Sequence, residues 1–173
     1  MNGSDKKLKE LAIILRQKNN SKIAEAIKSL RQGPPLEGAI ELLVALYDRS
    51  DDTVLKKIVR EFMNDIKGQM VSGEVIAEIK KGWQPDTINM LVSSCWQSGL
   101  DYSDYCHEFA EMFLSSDYIT AIECFTVIES SAENLKAQQK DMIIRIIEEN
   151  PLPPGDEKTS LLKELLFLLR QSP

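Results

Sequence analysis

Apolar residues recur along this chain at i, i+1, i+4, i+5 and i+8, and almost no stretch alternates in the manner of a strand. The clearest stripe is Val54, Leu55, Ile58, Val59, Phe62, Met63 and Ile66, with Lys56, Lys57, Arg60 and Glu61 on the opposite side of the same helix. Asp51 or Asp52 stands where its N-cap belongs, because a short carboxylate can accept the unpaired amides of a first turn. Helix-ending residues at Gly33-Pro34-Pro35, Gly68, Gly73, Gly82-Trp83-Gln84-Pro85, Gly99 and 150–155 divide the pattern. The expected helices are 5–18, 21–32, 36–49, 52–67, 73–81, 86–98, 102–115, 118–129, 132–149 and 157–171. Ser130-Ser131-Ala132-Glu133 has the spacing of a capping box and is expected to open the ninth.

The fold expected from this pattern is all-α, an α-α superhelix of about ten antiparallel helices, because short connections force consecutive helices to pack as neighbours. One domain is expected over residues 1–173, with a stiff proline-rich spacer at 150–155 before a C-terminal capping helix. That last helix carries Leu161, Leu162, Leu165, Leu166 and Leu169 on one side. It either closes the end of the core or docks on a second copy of the chain.

Four segments line up as an apolar helix, a polar turn and a second apolar helix: Leu11–Leu30, Leu42–Phe62, Met90–Phe109 and Ile122–Ile144. Their starts are 31, 48 and 32 residues apart, and the long interval holds the helix near 73–81 as an extra element. Within the second segment, Leu42-Leu43-Val44-Ala45-Leu46, then Asp51-Asp52, then Val54, Ile58 and Phe62 resembles the helix-turn-helix unit of HEAT and armadillo repeats. Arg60-Glu61-Phe62 and His107-Glu108-Phe109 occupy equivalent places in two units. Tetratricopeptide repeats fit the 31–32 spacing better, but their pattern of small and aromatic residues is not met. The HEAT and armadillo resemblance implies stacked hairpins with an extended outer surface, and a scaffold or adaptor role in binding another macromolecule.

Charge changes the picture. The chain holds 21 Lys and Arg against 27 Asp and Glu, a formal net charge of −6. Residues 1–35 carry eight basic and three acidic groups, whereas 83–135 carry nine acidic groups and no Lys or Arg. Those nine are interleaved with Tyr102, Tyr105, Tyr118 and Trp96. Carboxylates accept bidentate pairs from guanidinium groups and rings supply contact area, so this stretch is the candidate partner-binding surface. The residues chosen are Asp101, Tyr102, Asp104, Tyr105, Glu108, Glu111, Asp117 and Tyr118. The expected partner is a protein with a basic surface or a basic peptide, with salt-sensitive self-association of the chain as a further possibility.

Other chemistry is not expected. The single histidine, His107, shares a helical face with Asp104, Glu108 and Glu111, but a carboxylate-bridged metal site would want a second histidine. Cys106 beside His107 points about 100° away on a helix, so no thiolate pair is expected. The eight glycines form no phosphate cradle, and no Gly-x-Ser-x-Gly elbow occurs. The reading is therefore a non-catalytic protein with no cofactor and no metal. The alternative is a nucleic-acid-associated protein using the basic helices of 1–35, although the acidic remainder repels phosphate and argues against nucleic acid. Apolar runs of five residues fall far short of the roughly 20 that span a bilayer. Leu11–Leu15 runs at once into Arg16, Gln17 and Lys18, unlike an export signal, and the three cysteines are an odd number. Reduced thiols, no membrane and a cytoplasmic location are expected.

Overall fold

The computed structural model of the protein describes residues 3–171, which form ten α-helices and two short 3-10 turns with no strand. Contacts divide the chain into two compact units, 1–100 and 101–173. The first unit contains α1 (Gly3–Leu15), α2 (Asn20–Gln32), α3 (Ala39–Arg49), α4 (Thr53–Asn64), α5 (Ser72–Ile79) and α6 (Pro85–Gln97). The second contains α7 (Cys106–Ser115), α8 (Tyr118–Ser131), α9 (Ala137–Glu149) and α10 (Thr159–Gln171).

Within the first unit α1, α3 and α5 pack side by side as one layer, and α2, α4 and α6 as a second. Each odd helix also packs on the even helix that follows it, so the unit is three antiparallel hairpins laid against one another. The core between the layers is closed by Leu43, Val44, Tyr47, Val59, Met63, Val75 and Leu91, all buried. Along the even layer, consecutive helices are also tied at both ends. Asn20 Nδ2 donates to Asp52 at 2.6 Å and Lys56 Nζ to Asp86 at 2.9 Å near the N-termini. Arg31 pairs with Asp65, and Asn64 Nδ2 donates to Gln97 at 2.7 Å, near the C-termini.

The second unit repeats this plan with two hairpins, α7 with α8 and α9 with α10, and with contacts from α7 to α9 and from α8 to α10. Phe109, Phe113, Cys124, Val127, Ile128, Ile143 and Leu165 fill its centre. A charged group is built into this core. Lys158, only 6% exposed, donates from Nζ to the carbonyls of Phe113 (3.2 Å), Leu114 (2.8 Å) and Ser116 (2.9 Å) at the end of α7. An ammonium there satisfies orphan carbonyls and meets the negative end of the helix dipole. The chain that follows 150–155 is thereby fastened to α7, and α10 lies on α8 and α9 with Leu165 and Leu169 buried.

All ten expected helices are present, but the pairing has a different phase. The helix at 72–79 is not an insertion; it is the first helix of the third hairpin. The first helices of the five pairs begin at residues 3, 39, 72, 106 and 137, intervals of 36, 33, 34 and 31. Met90–Phe109 and Ile122–Ile144 each join the end of one pair to the start of the next. The cause is local: α5 has eight residues, with Val75, Ile76 and Ile79 buried, against 13 in α1 and 11 in α3. The capping box expected at Ser130 to Glu133 is also absent, since Ser130 and Ser131 end α8. The start of α9 is closed instead by Gln139, whose Oε1 accepts the Lys136 amide at 2.8 Å.

Candidate functional site

The eight candidate residues all fall in the second unit, along the approach to α7, on α7 itself and at the start of α8. Asp101 Oδ1 accepts the Ser103 amide at 2.9 Å and turns the chain into a 3-10 turn, Ser103–Tyr105, that leads into α7. Asp104 is exposed on that turn and accepts from Gln139 Nε2 at 3.1 Å; the same amide also reaches Ser103 O at 3.3 Å. Gln139 thus joins the start of α9 to the start of α7 and fixes Asp104 in place.

Tyr102 is not at the surface. It is buried, edge-on to Phe109 with ring centroids 6.3 Å apart, so it belongs to the core and leaves the ring contact to its neighbours. Tyr105 is half-buried with its ring 6.4 Å from Tyr102. Glu108 is half-buried, its carboxylate 3.8 Å from His107 Nε2, and Glu111 is exposed one turn before the end of α7. Asp117 caps α8, accepting the Thr120 amide at 2.8 Å, and that bond holds its carboxyl below the ordinary 3.8.

These groups do not converge on one pocket. A helix of ten residues is about 15 Å long, so Asp104 at one end of α7 and Asp117 beyond the other frame a surface and not a cleft. Among the described residues no group of three or more His, Cys, Asp and Glu side chains is placed to hold a metal ion. Beneath this surface, burial pushes the Cys106 and Cys124 thiols up to about 12; these two and Cys95 of the first unit are buried and in no disulfide.

Two features of this unit were not read from the sequence. On α8, Tyr118 (38% exposed), Ile119 (66%) and Ile122 (38%) form an apolar strip at i, i+1 and i+4 beside Asp117. The signal was present in Ile119, which lies off the core side marked by Ala121, Cys124 and Ile128, but α8 is apolar nearly all round and its outer side does not stand out. Glu149, at the end of α9, shares a groove with Glu111 although it lies outside the 83–135 stretch.

The acidic stretch itself is divided between the units. Asp86 belongs to the first, where Lys56 neutralises it and lowers its carboxyl. In that unit the basic side chains of α1 and α2 are largely exposed, but Arg31 is committed to Asp65, and Lys6 lies 4.0 Å from Glu10. No helix among the described residues is long and apolar enough to cross a membrane. Comparison with family models, curated proteins and solved structures finds no match to this chain.

Proposed function

We propose that the protein is a non-catalytic scaffold or adaptor of HEAT-like helical hairpins whose second unit docks a protein partner bearing a basic surface or peptide. The observation that carries this reading is the pairing on one unit of exposed carboxylates, Asp101, Asp104, Glu111 and Asp117, with the exposed strip of Tyr118, Ile119 and Ile122. Large apolar side chains in water beside a group of exposed carboxylates are the composition of a protein interface with a polar rim. The stacked hairpins supply a rigid platform for such a surface. The HEAT-like reading is supported by the α3–α4 pair, two apolar helices joined by a polar turn in which Asp52 accepts the Val54 and Leu55 amides at 2.8 and 3.0 Å.

The reading predicts binding that weakens as salt rises, because rim charges steer and hold a basic partner through screened interactions. The test is capture from native lysate on immobilised wild-type protein beside Asp104→Lys, followed by reconstitution with the purified captured polypeptide. Retention of the same basic polypeptide by wild type, at least several-fold weaker with Asp104→Lys and at high salt, supports the proposal. Equal retention by both, or indifference to salt, removes it.

A further inference from the structure

The C-terminal ends of α7 and α9 enclose a groove of about 750 Å³, walled on its open side by Pro151-Leu152-Pro153. That volume is in the range that accepts a whole side chain or small ligand. The proline-flanked wall is stiff, since each ring fixes its own φ. Leu114, Ile146 and Leu152 give the groove its apolar side, Ser115 and Asn150 are polar, and Glu111 and Glu149 stand on it from different helices.

Neither carboxylate has an ion-pair partner among the described residues. The neighbouring Glu148 is served by Arg170 at 2.8 Å, and Lys158 spends its three donors on the three carbonyls at the end of α7. Glu149 is moreover the last residue of α9, where the helix dipole disfavours a negative charge. A trough with an apolar side and two unmatched carboxylates on its polar side is complementary to a side chain with a long aliphatic stem and a broad cationic head.

We infer that this groove seats an arginine side chain of the basic partner, its methylenes along Leu114, Ile146 and Leu152 and its guanidinium shared between Glu111 and Glu149. The inference rests on the reading of the second unit as a docking surface and names the residue that anchors there. Arginine is favoured over lysine because a planar fork can bond two carboxylates at once, whereas an ammonium is a point charge with a tightly held hydration shell. A divalent cation would use the carboxylates but leave the apolar lining and the proline wall without a role.

The test uses the full chain, isotopically labelled, titrated with the blocked pentapeptide Leu-Ala-Arg-Ala-Leu while backbone amide resonances are followed. Saturating shifts are expected at Leu114, Ser115, Glu149, Asn150 and Leu152, weaker with lysine in place of arginine and lost with citrulline, which keeps the shape without the charge. Glu111→Gln and Glu149→Gln should each weaken the peptide roughly three- to tenfold. Their thermal unfolding serves as the control for folding. Absence of shifts at millimolar peptide, shifts spread over the whole acidic face, or full affinity in both glutamine variants would overturn the inference. So would displacement of the peptide by millimolar calcium with the same amides shifting. If the captured polypeptide still binds the glutamine variants fully but loses Asp104→Lys, the docking surface stands and the groove assignment falls. The opposite pattern removes the broader surface and keeps the groove.

Discussion

Lys158 places its ammonium 2.8 Å from the carbonyl oxygen of Leu114, in a position 6% exposed to water. A buried ammonium is costly unless each of its protons is received, and here three carbonyls receive them. Replacement by Met removes the charge and fills similar volume, but it leaves carbonyls at the end of α7 without donors. Lys158→Met should lower stability by about 2–4 kcal/mol. Urea unfolding followed by circular dichroism measures it, and a loss below the error of the fit would show that the three bonds contribute nothing net.

Asp117 ties α8 to the turn after α7 through the Thr120 amide, and the direction of its shift fixes a pH dependence. Its carboxyl is held lower in the folded than in the unfolded chain. The cap is therefore at full strength above the unfolded value of 3.8 and fades as pH falls through the folded value. Asp117→Asn still accepts a hydrogen bond but lacks the charge at every pH, so it should be less stable than wild type at neutral pH and show no such fading. Stability curves of the two proteins against pH should converge in acid; parallel curves would contradict the assignment.

The two groove carboxylates carry opposite consequences for folding and for binding. Removing the charge of Glu149 at the negative end of α9 should stabilise the isolated protein by about 0.3–1 kcal/mol, even as it weakens a cationic ligand. Thermal scans of Glu149→Gln at low ionic strength read the effect, and addition of salt should erase it. A lower melting temperature in the variant would indicate that Glu149 has a structural partner of its own.

The cysteines should be silent toward thiol reagents. Burial raises the Cys106 and Cys124 thiols to about 12, so almost none of either is thiolate at neutral pH, and Cys95 is also buried. A disulfide-exchange dye should react slowly with the native protein and at once with three thiols in guanidinium. Rapid labelling of one native thiol would mean that a helix of its unit opens on the timescale of the assay.

Local pattern carried the helices well because most are amphipathic at their own scale and turn residues bound the rest. The stripe from Val54 to Ile66 predicts α4, and Asp52 caps it as a short side chain before such a stripe should. The grouping of helices into hairpins is a different kind of fact. It depends on which faces meet, and the eight residues of α5 contain too little pattern to announce that they open a pair. The same limit governs the candidate site. Counting charge along 83–135 finds Asp104 and Glu111, but it cannot separate Tyr102, which packs on Phe109, from Tyr118, which meets water. Nor can it bring in Glu149, whose proximity to Glu111 is made by two helix ends and a loop. Ser130 to Glu133 misleads for a related reason, since the spacing is met while the two serines still belong to the end of α8 and Glu133 lies in the turn beyond it.

The ties along the even layer of the first unit have a further meaning for how such a chain can grow. The helices α2 and α4 each bear a donor in their first turns, Asn20 and Lys56, and meet a carboxylate at the start of the next even helix, Asp52 and Asp86. The α3–α4 pair therefore owns both halves of the joint, an acceptor on one edge and a donor on the other. Its two edges carry complementary groups. A second copy of residues 39–71 inserted after the first would set Lys56 of one against Asp52 of the next, and Asn64 against Asp65. The lengthened protein should fold with more helix in proportion and an unchanged or higher denaturation midpoint; a loss of cooperativity would show that the edges do not mate. Length, in such a molecule, is a setting that duplication can change without redrawing the parts.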